Sequence, residues 1–335
     1  MKNSYTQSTL TKNDLAYETK LRPIALSDFM GQDDLKQRLK ISISAAKQRG
    51  DFLCHCLFYG PPGLGKTTLA GVIANEMSAK LVTLSGPAIE KAGDLAGILT
   101  NLQEGDILFI DEIHRLSRQI EEYLYPAMED FCLDLTLDSG SNARSIQVKL
   151  NKFTLVGATT RIGLLSSPLR SRFGLNCRLD FYSTELLTKI ILRSAHLMGT
   201  ILEEDAAIAV ALRSRGTPRI ANNLLKWIRD FAQVSDQQVI KTPVVTEALS
   251  LIKIDNKGLD ETDKKILLTI IDHHEGGPVG LKTLGAALGE EETTLTEVYE
   301  PYLIMLGLLK ITPRGREATK LAFDHFNRVY PSYNS

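Results

Sequence analysis

Gly60-Pro61-Pro62-Gly63-Leu64-Gly65-Lys66-Thr67 is the stretch on which the fold turns. It matches G-x-x-x-x-G-K-[ST], a loop that cradles phosphate. Glycines let consecutive backbone N–H groups turn toward one anion without Cβ clashes. A helix starting at Lys66 aims the positive end of its dipole at the same anion. Lys66 adds a point charge near the β and γ phosphates, and Thr67 offers a hydroxyl to Mg²⁺. The same pattern could merely turn the chain. Its context argues otherwise: the apolar run Leu53–Tyr59 before it reads as a strand, and Thr68–Ala79 after it has helical spacing.

Outward from the loop the alternation continues. Lys80–Leu84, Asp106–Ile110 and Phe153–Ala158 are further strand candidates. The pattern predicts βαβ units, hence an α/β fold with a parallel sheet covered on both faces and ending near Asp180. Upstream, Leu35, Leu39, Ile43 and Ala46 mark an amphipathic helix over Asp33–Arg49, with Gly50 placed to end it. From Thr184 to about Ile254 the patterning is helical with no convincing strand, and Ile254–Gly258 resembles a short linker. Helices over Thr262–His273, Leu281–Leu288 and Glu292–Leu306 follow, then a tight basic hairpin over Gly307–Arg316. Helix, turn, helix and hairpin predict a winged helix. The expected division is a tail over 1–20, a large α/β domain over 21–182, a small helical domain over 183–253 and a winged-helix domain over 254–335.

The chain has 335 residues, enough for two or three domains. Lys and Arg total 39 against 40 Asp and Glu, for a net charge of −1. That balance excludes a globally basic polyelectrolyte and leaves room for a local basic patch. Four cysteines are too few for a disulfide framework, so reduced thiols are expected. Met1–Lys20 has no apolar signal-peptide core, and no apolar run is long enough to cross a membrane. A soluble, cytoplasmic protein with no membrane partner is the expectation.

Three further features complete a nucleotide site. Ile107–Ile110 is an apolar strand that runs into Asp111 and Glu112. Asp111 lies where α/β sheets bind ligands and is assigned to the Mg²⁺ shell through water, with Glu112 as general base. As an isolated pair these acids would more simply cap the next helix. Gly157-Ala-Thr-Thr160 ends another strand with a hydroxyl able to hold the attacking water or the γ-phosphate. Leu169-Arg170-Ser-Arg172-Phe-Gly174 is a basic turn whose Arg172 is a candidate arginine finger; alone it would read as a salt-bridged surface residue.

With these elements in order the chain resembles the AAA+ ATPases and, within them, the RuvB family. The likeness rests on Leu21-Arg-Pro23, Asp28-Phe-Met-Gly31-Gln32, Gly60–Thr68, Leu124–Phe131, Gly157–Arg161, Pro168–Gly174, Gly216-Thr-Pro-Arg219, and Tyr299-Glu-Pro with Thr312–Arg316. It implies an AAA+ P-loop domain, a small helical lid and a C-terminal winged helix. It also implies a homohexameric ring on double-stranded DNA that uses ATP and Mg²⁺ to drive branch migration of Holliday junctions with RuvA, and with RuvC as a further partner. By position it makes Lys66 and Thr67 the Walker A pair, with Gly63, Gly65 and Thr68 beside them, and Asp111 and Glu112 the Walker B pair. Thr160 becomes sensor 1, Arg172 the finger acting on a neighbour's ATP, and Arg219 sensor 2. Leu21, Arg22 and Tyr182 would border the adenine-nucleotide pocket, with Glu129, Asp130 and Phe131 near it. Leu133–Leu150 would be the hairpin that docks RuvA. The chain departs from the family where Ile311 stands at a usually basic position, with Lys310 just before it.

Between Pro301 and Ser335 there are five basic and two acidic residues, the local patch that the whole-chain balance conceals. Arg314 and Arg316 flank Gly315, and with Lys310 they are the candidate DNA contacts, sequence-independent and salt-sensitive. A solvated turn is the plainer alternative. Between Met77 and Leu108 there is no Phe, Tyr or Trp, which argues against a ring that threads polypeptide. A DNA-bound regulator switched by ATP is disfavoured by Glu112 and Arg172, which point to turnover. Cys54-His55-Cys56 has no second ligand pair to close a metal site. His273-His274 reads as a helix-end dipole partner, Trp227 as core, and His114 as a helix-surface residue.

Overall fold

The computed structural model describes residues 21–136 and 145–331. The expected tail over 1–20 and the tip of the expected hairpin lie outside the described residues. Five short strands form one parallel sheet: β1 (Cys56–Tyr59), β2 (Leu81–Ser85), β3 (Ile107–Asp111), β6 (Thr154–Thr159) and β7 (Leu175–Arg178), in the order β2-β3-β6-β1-β7. An antiparallel pair, β4 (Cys132–Thr136) and β5 (Ser145–Lys149), forms the stem of the expected hairpin. β6 lies between β1 and β3, in register Tyr59↔Thr159 and Ile110↔Gly157. The segments following the phosphate-loop strand and the acid-ending strand therefore leave the same edge of the sheet, on either side of Thr160.

Strand alternation divides the sheet's side chains between two faces. Leu57, Leu108, Ile110 and Leu155 share a buried cluster with Leu95 and Leu99 of the helix Ala92–Thr100 and Ile120 and Leu124 of the helix Arg118–Glu129. Phe58, Phe109 and Val156 alternate onto the other face and are fully buried. The helix Asp33–Arg49 forms with its bounds as expected, and Gly50 closes it at φ 62°. At the opposite edge of the sheet His55 is locked by two bonds. Its Nδ1 accepts from the Leu155 N–H at 2.9 Å, so Nε2 carries the proton and donates to the Met128 carbonyl at 3.0 Å. Burial holds this imidazole below its usual pKa, consistent with the neutral tautomer that those bonds require.

The described residues form two compact units divided between Phe181 and Tyr182. In the second, the helices Thr184–Leu197, Glu204–Ala211, Pro218–Val234 and Thr242–Leu251 bury Leu187, Ile191, Val210, Leu224, Ile228 and Val245. A two-residue parallel ladder, β8 (Ile201–Leu202) with β9 (Val239–Ile240), interrupts the all-helical expectation. Trp227 is half-buried, and its indole N–H donates to the Ala248 carbonyl at 2.7 Å. Further along, the helices Glu261–His274 and Leu281–Leu288 pack with Tyr299, Leu303 and Phe323 around the hairpin of β10 (Leu309–Thr312) and β11 (Gly315–Ala318). Val279 bonds Arg316 in both directions, at 2.8 and 2.9 Å, adding a third short strand. Gly315 is required there: at φ 144°, a Cβ would stand 2.3 Å from the Val279 carbonyl oxygen.

The expected linker is instead a bonded turn. Asp255 Oδ1 accepts the N–H groups of Lys257 and Leu259, each at 2.9 Å, and Ile254 is buried. Beside it, Arg215 is buried against Asp260 at 3.0 Å and against Asp263, with its guanidinium 5.1 Å from the centroid of the Tyr302 ring. One cation faces two carboxylates out of water, and burial pushes the Asp263 carboxyl up to about 7. This node joins the helical lid to the winged helix within one unit. Arg215→Met removes the cation paired with both acids and is expected to cost about 3–5 kcal/mol. With no cation the acids bind protons more readily still, so the loss is larger at pH 8 than at pH 5; urea unfolding at both values checks the magnitude and the sign.

Candidate active site

The loop after β1 is shaped by contacts that leave no room for side chains. Gly60, Gly63 and Gly65 have φ of 144°, 82° and 101°. A Cβ on Gly60 would lie 2.3 Å from the Leu179 carbonyl oxygen, so backbone freedom and space both demand glycine. Phe29 closes over Gly65, and the segment before it is tied to the helix Lys66–Met77 by Leu26 N–H donating to Glu76 at 3.0 Å. Lys66 opens that helix and is buried. Its ammonium donates to the carbonyls of Gly60 at 2.7 Å and Pro61 at 2.9 Å, which aims the charge across the mouth of the loop. Thr67 and Thr68 follow in the first turn, half-buried.

Asp111 and Glu112 emerge from the same edge of the sheet. Asp111 Oδ1 accepts the Glu112 N–H at 3.0 Å. Glu112 is left-handed, at φ 48°, and this turns the chain sharply off the strand into the 3₁₀ turn Ile113–Arg115. Glu112 Oε2 accepts from Thr160 Oγ1 at 3.1 Å and lies 3.1 Å from His114 Nδ1. His114 Nδ1 is also 2.9 Å from Thr159 Oγ1. A carboxylate only accepts, so Nδ1–H is the group that satisfies it. His114 is therefore no helix-surface residue: its side chain is 8% exposed and belongs to this cluster. The sharp turn at Glu112 brings it there, and helical spacing could not reveal that.

Arg172 is placed elsewhere. It caps the short helix Ser167–Ser171, three residues before β7, whose first residue pairs with Cys56 at the start of β1. Its guanidinium lies 4.4 Å from the centroid of the Tyr125 ring, pairs with Glu129 at 3.0 Å and donates to the Pro168 carbonyl at 2.8 Å. Nε is buried with no hydrogen-bond partner among the described residues. Phe131 packs against Phe52, His55 and Phe153, which also precede their strands. Glu129, Asp130 and Phe131 thus gather with Arg172 at the sheet edge where β1 begins, not with the phosphate loop where it ends. β1 alone spans roughly 13 Å at ~3.3 Å per residue. Within one subunit these residues are therefore separated from the phosphate loop by the length of that strand.

Three family profiles match the chain: "Holliday junction DNA helicase RuvB P-loop domain" over 21–179, "RuvB AAA lid domain" over 182–255 and "RuvB C-terminal winged helix domain" over 256–327. The chain is 59% identical over 325 residues to the Holliday junction branch migration complex subunit RuvB of Protochlamydia amoebophila, covering 97% of this chain and 98% of that protein. The chain belongs to the RuvB family. The corresponding protein of Flavobacterium johnsoniae is 55% identical, covering 94% of this chain and 93% of its own length. Among solved structures, the Thermotoga maritima RuvB Holliday junction branch migration motor superposes with a TM-score of 0.86 at 51% identity, over 93% of this chain and all of that one. The loop at Gly60–Thr67 is thus the nucleotide-binding P-loop of a RuvB-family ATPase.

Of the remaining expected site residues, Leu21 is buried and Arg22 half-buried in the first unit. Tyr182 and Arg219 lie together in the second: the Tyr182 N–H donates to the Gly216 carbonyl at 2.9 Å, and Thr217 caps the helix whose second residue is Arg219. That first turn holds no acid. A cation at the positive end of a helix dipole is unfavourable unless an anion joins it, and a nucleotide phosphate would serve. Thr67 and Asp111 supply only oxygen donors, a hydroxyl and a carboxylate. That set fits Mg²⁺, which keeps most of its waters and takes one or two protein oxygens.

The basic residues of the wing differ in their partners. Arg316 is 15% exposed and grips the buried Glu300 with Nε–Oε1 at 2.7 Å and Nη2–Oε2 at 3.1 Å. Lys310 pairs with Glu317 at 2.7 Å and Arg328 with Asp272 at 2.9 Å. Of the five basic residues counted there, Arg314 on the turn and Lys320 are exposed. Ile311, at 53% exposure, gives the wing an apolar side chain where the family is usually basic. Arg316→Ala should cost about 3 kcal/mol by stranding Glu300. Arg314→Ala should leave stability within ~0.5 kcal/mol while weakening DNA binding, so thermal melting and DNA affinity should separate the two variants.

Proposed function

We propose that this chain is the ATP-driven motor subunit of a Holliday junction branch migration complex, acting as a homohexameric ring on double-stranded DNA with RuvA, and with RuvC as a further partner. The observation that carries the ring is the separation of Arg172 from the phosphate loop. A guanidinium held where β1 begins cannot reach a γ-phosphate held where β1 ends, but it can face a neighbour's. Its unpartnered Nε and its exposed partner Glu129 support the same reading, because a neighbour's phosphate can draw the guanidinium away from Glu129.

In this scheme Lys66 and the loop N–H groups hold the β and γ phosphates, and Glu112 polarises the attacking water. Mg²⁺ held by Thr67 and Asp111 would neutralise phosphate charge when bound. Thr160 restrains Glu112 and senses the γ-phosphate. Tyr182 and Arg219 carry the nucleotide state into the lid, and the Arg215 node passes it to the winged helix, where Arg314 and Lys320 hold the DNA backbone. The stem of β4 and β5 is the proposed RuvA dock, and the cytoplasm the proposed location. No helix among the described residues is long and apolar enough to cross a membrane.

The test is four-way junction migration on a gel, with RuvA and ATP. The wild-type chain is expected to resolve the junction into duplex products only when both are present. Arg172→Ala should still bind ATP but lose about 10³-fold or more in turnover, the usual worth of an arginine finger. Glu112→Gln should hold ATP without cleaving it. Migration by the chain without ATP would refute the proposal.

A further inference from the structure

Three thiols lie along the start of β1 and its neighbour β7: Cys54 and Cys56 at the edge away from the phosphate loop, and Cys177 beside Phe58. Cys56 opens β1 and Cys177 lies in β7, both buried; Cys54 is exposed. Residues two apart along an extended chain point the same way, so Cys54 and Cys56 share one face. The Cys56 S–H donates to the Cys54 carbonyl at 3.2 Å, which turns its sulfur back toward Cys54. The positive charge of Arg49 lies close enough to favour a Cys54 thiolate.

Between the two sulfurs lies the peptide of His55, which anchors both pieces of the Arg172 cluster. Its carbonyl accepts the Leu175 N–H at 3.1 Å, three residues after Arg172. Its ring holds the Met128 carbonyl at 3.0 Å, one residue before Glu129. Cys54 also packs directly on the arginine segment: its Cβ and Sγ would stand 3.2 and 3.5 Å from a Cβ built on Gly174.

We propose that Cys54 and Cys56 are an oxidisable pair that a hydroperoxide converts to a disulfide, and that closing it displaces the Arg172 segment and slows ATP turnover. The Cys54 thiolate attacks the peroxide oxygen and breaks the O–O bond, giving a sulfenic acid and, with one proton, water. The Cys56 sulfur then attacks the Cys54 sulfur. The S–S bond forms, the S–OH bond breaks, and the Cys56 proton leaves with the hydroxide as a second water. Two thiols lose two electrons and two protons, and hydrogen peroxide becomes two waters. Cys54 is the nucleophile because it is the exposed thiol and because its neighbour Cys56 and the charge of Arg49 draw its pKa down to about 7; burial pushes Cys177 up to about 11, and the interaction with Cys54 followed by burial pushes Cys56 well above the ordinary thiol range.

The coupling to Arg172 is geometric. Extended residues two apart have Cα atoms about 6.6 Å apart, near the upper limit of ~6.8 Å for a disulfide. Closing the bond draws the two Cα atoms together, bends the His55 peptide out of line, and strains its bonds to Leu175 and Met128. A shift of ~1 Å in a catalytic group costs on the order of a hundredfold in rate.

The consequence for turnover rests on the proposed finger role of Arg172; the chemistry of the pair does not. The full-length protein is treated with hydrogen peroxide, its remaining thiols are blocked, and the peptide containing both cysteines is weighed. DNA-stimulated ATP turnover is measured on the same samples. The expected result is a peptide lighter by two hydrogens, restored by dithiothreitol, with turnover reduced at least about tenfold and recovered on reduction. Cys54→Ser should keep the basal turnover and be insensitive to peroxide. A Cys54–Cys177 link, oxidation of Cys54 to the sulfinic acid in place of a disulfide, or equal inhibition of Cys54→Ser would overturn the pair. A disulfide that forms and leaves turnover unchanged would overturn the switch. If Arg172→Ala alone proves fully active, the finger role fails, and the weighed peptide still decides the pair.

Discussion

A guanidinium cannot cross a β-sheet, and the placement of Arg172 makes that constraint govern the whole molecule. Its short helix ends three residues before β7, whose start is hydrogen-bonded to the start of β1, while the phosphate loop begins where β1 ends. Tyr125, Glu129 and Pro168 hold the side chain there. In the proposed scheme the site takes this cation from a neighbour, and a closed ring of identical subunits would let every copy lend and borrow at once.

The residues assigned roles in the proposed scheme lie on separate bodies. Lys66, Asp111, Glu112 and Thr160 belong to the sheet unit; Tyr182 and Arg219 belong to the lid; Arg172 is the proposed contribution of the next subunit. The lid is bound to the winged helix by a buried guanidinium between two carboxylates, Arg215 with Asp260 and Asp263. An ion cluster with excess negative charge in an apolar setting is a poor source of stability but a good source of definite geometry. Geometry is what a joint between a nucleotide sensor and a DNA-gripping domain requires.

Much of this was legible in the sequence. Gly60–Thr67 between a strand and a helix marked the P-loop, because the phosphate chemistry constrains its first position and its last three. The helix Asp33–Arg49 was readable from its apolar spacing and its terminal glycine, since both act locally. What escaped was non-local. Glu300, sixteen residues before Arg316 and on another element, turns an apparent phosphate contact into a clamp. Arg215 meets its aspartates 45 and 48 positions away. His114 joins Thr159 and Glu112 only because Glu112 adopts a left-handed turn. The β8–β9 ladder has two residues per strand, too few to show a period of two.

The shared site can be tested by mixing two dead proteins. Lys66→Ala removes the phosphate-holding ammonium and leaves Arg172 intact; Arg172→Ala does the reverse. Each alone is expected to be inactive in DNA-stimulated ATP hydrolysis. Rings assembled from both should regain turnover, because some interfaces then pair an intact phosphate loop with an intact arginine, and the recovered rate should peak at an intermediate mixing ratio. A mixture as inactive as its parents at every ratio, with mixed rings shown to form, would contradict a nucleotide site built by two subunits.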